Sequence, residues 1–212
     1  METHALIRSL ASDGTRPSRP LPQVWGAALP AAALAAALVF FSTIGPRPDF
    51  EAALATLRFP LKFVLTSILA LSAFAVLSPL ARPGGESASN LAWLLAAPLL
   101  LGAAVLLELA AVPPSEWASR LVGVNNLYCL GFIPLIGAGP LGLFLLALRH
   151  GAPTRPRLAG AVAGLLAGGL AASFYAAHCP DDSPLFVATW YTLAIALLAG
   201  LGAMLAPRLA RW

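Results

Sequence analysis

Residues 174–191 read Phe-Tyr-Ala-Ala-His-Cys-Pro-Asp-Asp-Ser-Pro-Leu-Phe-Val-Ala-Thr-Trp-Tyr. The chain is otherwise dominated by Leu, Ala, Gly and Val, yet here an imidazole (His178), a thiol (Cys179) and two carboxylates (Asp181, Asp182) fall within five positions. Thiolates bind soft metal ions and exchange with disulfides, so such a cluster suits the sensing of a metal or an oxidant. The second cysteine, Cys129, lies 50 residues upstream. In an oxidising compartment the two can pair if their Cα atoms come within about 7 Å. Alternatively, as thiolates they can bind a soft metal ion, with His178 as a third ligand and Asp181 or Asp182 completing the shell. A third reading makes each a small buried residue that helps helices pack. Two cysteines make neither a disulfide framework nor a four-cysteine zinc site. No constitutive cofactor is expected, and a transiently bound soft metal ion is the most that this donor set implies.

The surrounding elements must place these groups. Of 212 residues, 59% are apolar and 10% charged, with a mean hydropathy of +0.82. Soluble chains carry roughly a quarter charged residues. Six apolar runs, at about 24–44, 61–80, 91–112, 127–148, 158–176 and 185–206, are each long enough to cross a bilayer. Spacers rich in Pro, Gly, Arg and Ser separate them. The expected fold is an all-α membrane protein, a six-transmembrane-helix bundle with short loops. Residues 1–23 precede it as a separate segment, and 24–212 form the membrane domain.

The net charge of +4 points to orientation rather than to nucleic acid, because the basic residues are spread over short loops. One side of the membrane receives Arg8, Arg16, Arg19, Arg82, Arg149, Arg155, Arg157, Arg208 and Arg211. The other receives Arg47, Arg58, Lys62 and Arg120. Nine against four places both termini in the cytoplasm. Cys129 and Cys179 then share the outer face. The five tryptophans (Trp25, Trp93, Trp117, Trp190, Trp212) fall near span ends, as interfacial belts do.

Other polar residues have structural duties. Ser183 and Pro184 suit the cap and first position of the sixth helix, and Asn125 and Asn126 have the same look before the fourth. Glu108 is the only carboxylate inside a span, and Lys62 at matching depth is its expected ion-pair partner. Gly160, Gly164 and Gly168 form a ridge along the fifth span that lets another helix approach closely and would also permit a dimer. In the N-terminal segment, Leu6, Ile7 and Leu10 share one helical face. With Arg8, Arg16 and Arg19 as charge contacts, that segment can fold onto a partner.

Together these residues resemble a known family. The run His178-Cys179-Pro180-Asp181-Asp182-Ser183-Pro184-Leu185-Phe186 with Trp190-Tyr191, the upstream Cys129, Arg149-His150-Gly151-Ala152-Pro153 and the closing Arg208-Leu209-Ala210-Arg211-Trp212 are similar to the NrsF-type family. The family's name stands for negative regulator of sigma F, and its members are six-helix proteins of the bacterial inner membrane. The resemblance implies an anti-sigma factor that holds an extracytoplasmic-function sigma factor on the cytoplasmic side. It also implies release when heavy metals or oxidants act on two outward-facing cysteines, which match Cys129 and Cys179. Residues 1–22 match the sigma-binding segment. The expected partners are that sigma factor and the lipid bilayer, with no direct contact to nucleic acid.

Catalysis is not expected: no nucleophile elbow, phosphate loop, catalytic carboxylate pair or dinucleotide fingerprint occurs. The competing readings are a thiol-redox enzyme and a metal-handling transporter, neither of which binds a sigma factor. Cys-x-x-Cys pairs would mark the first. Internal symmetry around a midplane polar site would mark the second.

Overall fold

The computed structural model of the chain describes residues 20–85 and 87–209, together with Thr3, His4 and Ile7. Every regular element among them is helical. Six helices are long and apolar enough to cross a membrane: Leu21–Thr43, Arg58–Leu80, Asn90–Ala111, Asn126–Leu148, Pro156–Ala176 and Pro184–Leu209. Their ends fall a few residues from the expected ones. Prolines sit in the first turn of four helices, at Pro22, Pro114, Pro156 and Pro184. There the missing N–H is no loss, because it would have no intrahelical partner.

We label the elements α1 (Leu21–Thr43), α2 (Phe50–Leu54), α3 (Arg58–Leu80), α4 (Ala88–Ala92), α5 (Ala96–Ala111), α6 (Pro114–Val122), α7 (Asn126–Leu148), α8 (Pro156–Ala176), α9 (Pro184–Phe186) and α10 (Thr192–Leu209). A 3₁₀ turn at Trp93–Leu95 joins α4 to α5, and a π-helical turn at Val187–Tyr191 joins α9 to α10. The short α6 lay within an expected spacer. It carries a Glu116–Arg120 pair one turn apart and ends at Gly123, whose φ of 58° only glycine adopts readily.

The most enclosed long helix is α8, and it contacts α1, α3, α7 and α10. Glycine makes this possible. A Cβ at Gly160 would meet the carbonyl oxygen of Gly202, and one at Gly164 would meet that of Leu198. On the opposite side Gly169 faces the Ala70 backbone of α3. The glycine ridge is therefore spent within the chain, against α10. The third span, centred on α5, is the least enclosed of the six.

Leu34, Leu38, Phe41, Leu71, Leu99, Leu106, Leu107, Leu193 and Leu197 point outward. An apolar exterior of this extent suits lipid as the surrounding solvent. Trp25 departs from the expected belt. It is buried against Phe74 and Phe144, with ring centroids at 6.0 and 6.3 Å. Trp93 is exposed, while Trp117 and Trp190 donate to the carbonyls of Val112 and Leu121. Trp212 lies outside the described residues.

Candidate functional site

The end of the bundle opposite Leu21 and Leu209 is closed by residues 177–183, which connect α8 to α9. Ser183 caps α9 by accepting from the Leu185 amide at 3.3 Å, and Pro184 fills the first position. Each polar residue of the loop then reaches a different element. His178 Nδ1 lies 3.0 Å from the Gly45 carbonyl after α1. Asp181 accepts from the backbone amides of Val124 (3.1 Å) and Asn125 (2.9 Å) and from the Asn125 side chain (3.4 Å), which ties the loop to the start of α7. Asp182 pairs with Lys62 of α3 at 2.5 Å and with Arg47 at 3.1 Å.

Lys62 is 1% exposed and also donates to the Cys179 carbonyl at 2.7 Å. Its ammonium lies 5.2 Å from the centre of the Phe59 ring. One buried cation thus satisfies a carboxylate and the backbone beside the thiol. Arg47 contributes from the α1–α2 connection. Its amide donates to Ala177 O at 3.0 Å, and its guanidinium reaches Asp49 at 2.6 Å as well as Asp182. Hydrogen bonding to Asp49 chiefly holds the Arg47 guanidinium above its ordinary range, against the opposing effect of burial. The same bond lowers the exposed Asp49 carboxyl.

Both thiols lie beneath this lid, and both are completely buried and free. Cys129 sits in the first turn of α7, its amide donating to Asn125 O at 2.8 Å. The Cys179 amide donates to Tyr175 O at 3.0 Å, and its Sγ points at the Asp181 carbonyl at 3.8 Å. Tyr175 links the two: its carbonyl accepts from the Cys179 amide, its hydroxyl lies 3.5 Å from the Asn125 carbonyl that also holds the Cys129 amide, and its ring packs on Tyr191 at 5.7 Å. Burial pushes the Cys179 thiol up, with Lys62 pulling the other way. Both sulfurs are shielded from water at the same end of the bundle.

The expected accessory ligands are held elsewhere: His178 by Gly45, Asp181 by the start of α7, and Asp182 by two cations. Among the described residues no group of three His, Cys, Asp or Glu side chains gathers as a metal site. Such an ion would first have to draw these groups from their present partners.

Glu108 does not pair with Lys62. It binds Arg58 at 2.8 Å, Arg120 at 3.1 Å and the Ser183 hydroxyl at 3.3 Å. Lys62 is instead engaged by Asp182 and the Cys179 carbonyl, and Arg58, one turn before it on the same side of α3, reaches Glu108. The Arg120 contact clamps α6 onto the same cluster, and hydrogen bonding to Glu116 chiefly raises its guanidinium. Sequence reading used Arg47, Arg58 and Arg120 only as orientation charges and missed their structural role. The Glu116–Arg120 spacing was the available signal. Asn125 likewise occupies a cap position but turns its side chain to Asp181, while Asn126 Oδ1 accepts from the Leu127 amide at 2.7 Å.

Of the partner-binding residues expected near the start of the chain, Ile7 is helical and exposed. Leu6, Arg8, Leu10, Arg16 and Arg19 lie outside the described residues.

Comparison with known proteins agrees over the whole length. The family model described as "Negative regulator of sigma F" (NrsF) matches residues 10–212. The anti-sigma-F factor NrsF of Caulobacter vibrioides is 34% identical, with all of both chains aligned. The probable anti-sigma-F factor NrsF of Azospira oryzae is 33% identical, also over the full length of both. The names of both relatives point to regulation rather than catalysis. No solved structure gives a significant match.

Proposed function

Because the chain belongs to the NrsF family of negative regulators of sigma F, we propose that it is a multi-pass anti-sigma factor of the bacterial inner membrane. It holds an extracytoplasmic-function sigma factor through residues 1–23 and releases it when a soft metal ion or an oxidant modifies Cys129 and Cys179. The distribution of basic residues supports cytoplasmic termini, which puts the thiols and the loop over them on the outer side.

The observation that carries this reading is the burial of both thiols under a loop anchored to several helices at once. Both sulfurs are completely buried, and protein interiors leave little room for added atoms, so a bound ion or a new S–S bond is expected to move the walls around them. Any modification must shift the loop or the first turn of α7. Either shift disturbs the Cys179–Lys62 hydrogen bond and the Asp181 contacts to Val124 and Asn125. Residues 177–183 continue directly into α8, which is packed backbone against backbone on α10. Displacement at the outer end is therefore passed along rigid helices to the inner end. A switch of this kind releases its partner only because the two arrangements bind it with different affinity.

Deleting residues 1–22 should abolish sigma-factor binding by the membrane-embedded chain while leaving the helix bundle folded. The expected loss is about 100-fold or more, because a few buried anchors supply most of the affinity at such interfaces. Affinity purification of the full chain and of the truncated chain from the same cells checks this. Equal recovery of a sigma factor by both would overturn the assignment of the segment. Recovery by neither would favour a thiol-redox or metal-handling protein.

A further inference from the structure

The end of the bundle that carries Leu21 and Leu209 has a different electrostatic character from the thiol end. At the thiol end Arg47, Arg58, Lys62 and Arg120 each have a carboxylate partner. At the other end Arg82, Arg149, Arg155, Arg157 and Arg208 are exposed, and no carboxylate lies among the described residues there. The sequence puts a single one in these connections, Glu86. Membrane orientation accounts for the number of these arginines. It does not account for how they are mounted.

The connections after α3 and after α7 are joined backbone to backbone. The Ala152 amide donates to the Ala81 carbonyl at 2.8 Å, and a Cβ on Gly151 would meet that same oxygen. Ala81, Gly151 and Pro153 are buried beneath the exposed arginines. The first connection turns at Gly84, whose φ of 70° suits glycine, and a Cβ on Gly85 would meet the Pro79 carbonyl. Alongside, Arg157 stands in the first turn of α8 and Arg208 in the last turn of α10. Solvated loop arginines need no such fixed base, whereas a docking surface gains from one, because less has to be ordered on binding. The chain also enters the bundle here. Trp25, early in α1, packs on Phe74 and Phe144, which lie one to two turns before the ends of α3 and α7.

We propose that Arg82, Arg149 and Arg157 form a second docking surface for the sigma factor held by residues 1–23, and that they take an acidic patch on it. This rests on the anti-sigma reading above. A protein gripped by that segment is tethered at Pro20, so it meets this face at high effective concentration. An acidic patch would otherwise be repelled by the anionic lipids of the cytoplasmic leaflet, and a cationic platform offsets that repulsion. Complementary charge of this kind acts chiefly on the rate and register of association.

The test uses the full chain in nanodiscs of phosphatidylcholine alone, with the sigma factor recovered on the full chain as the probe. Association and dissociation are followed at low and at physiological salt. Arg82→Gln, Arg149→Gln and Arg157→Gln combined should slow association at low salt about tenfold and flatten its dependence on salt, with dissociation much less affected. All three side chains are exposed, so this chain should unfold where the parent does. The counterpart with Arg82→Lys, Arg149→Lys and Arg157→Lys should keep most of the rate, because long-range attraction follows charge. A lysine chain as slow as the glutamine chain overturns the inference. So does an effect of the glutamines seen only once phosphatidylglycerol is added to the discs, since the arginines would then serve lipid headgroups. Failure of the unsubstituted chain to bind any sigma factor overturns the anti-sigma reading and this one with it. Tight binding whose rate is indifferent to the arginines overturns this one alone.

Discussion

Replacing Lys62 with methionine is expected to destabilise the folded chain by about 2–3 kcal/mol and to speed modification of Cys179. Removing one partner of a buried ion pair commonly costs about 3–5 kcal/mol, because the other charge is left without compensation. Here the loss is smaller, since the Asp182 side chain is 20% exposed and keeps Arg47 at 3.1 Å. The Cys179 carbonyl is left with only the long contact to Arg47 at 3.5 Å. The loop over the thiols should then open more often, and the alkylation rate of Cys179 should rise several-fold. Reversible unfolding in mixed micelles measures the first effect and iodoacetamide labelling the second. The double variant Lys62→Met with Asp182→Leu should recover most of the stability, because no buried charge is stranded, and Arg47 still has Asp49 at 2.6 Å. A Lys62→Met chain within about 0.5 kcal/mol of the parent would show that the lid is held by something else.

Gly164→Ala should cost about 3 kcal/mol, the upper end of the usual overpacking range. The added methyl would meet backbone: the Leu198 carbonyl oxygen, Ala199 Cα at 2.5 Å and Ala199 N at 2.6 Å. A side chain could swing aside, but a helix backbone cannot, so α8 and α10 would have to part along their whole contact. Gly200→Ala is the control within the same helix pair. A Cβ there meets nothing within 4 Å, and alanine is the better helix former by roughly 0.5–1 kcal/mol. That variant should be neutral or more stable. If the two variants proved equally stable, the backbone contact between α8 and α10 would not be what holds the core of the bundle together. Both helices would then be poor carriers of a signal from the loop to the inner end.

The helices were legible because a segment crossing a bilayer must be apolar for about 20 residues, a constraint strong enough to survive without any packing information. The glycine ridge and the Ser183–Pro184 helix start were legible for the same kind of local reason. The ion pairs were less so. Depth along a helix can be counted from the sequence, and by depth alone Lys62 is a fair partner for Glu108. The loop decides the pairing, however: Asp182, far away in sequence, takes Lys62 and leaves Glu108 to Arg58, one turn earlier on the same side of α3. The common face of Cys129 and Cys179 followed from topology. Their burial did not, because it depends on a lid whose ties run to residues more than a hundred positions away, such as Arg47 and Lys62.

The most direct measurement is the affinity of the membrane-embedded full chain for its sigma factor, before and after treatment with a soft metal ion or a thiol oxidant. It is made in parallel on the chain carrying Cys129→Ser and Cys179→Ser. The unsubstituted chain should lose affinity by about 5- to 150-fold, the usual size of coupling between two sites, while the serine chain binds tightly throughout. Equal release from both chains would contradict the account, because the signal would then enter somewhere other than the buried thiols.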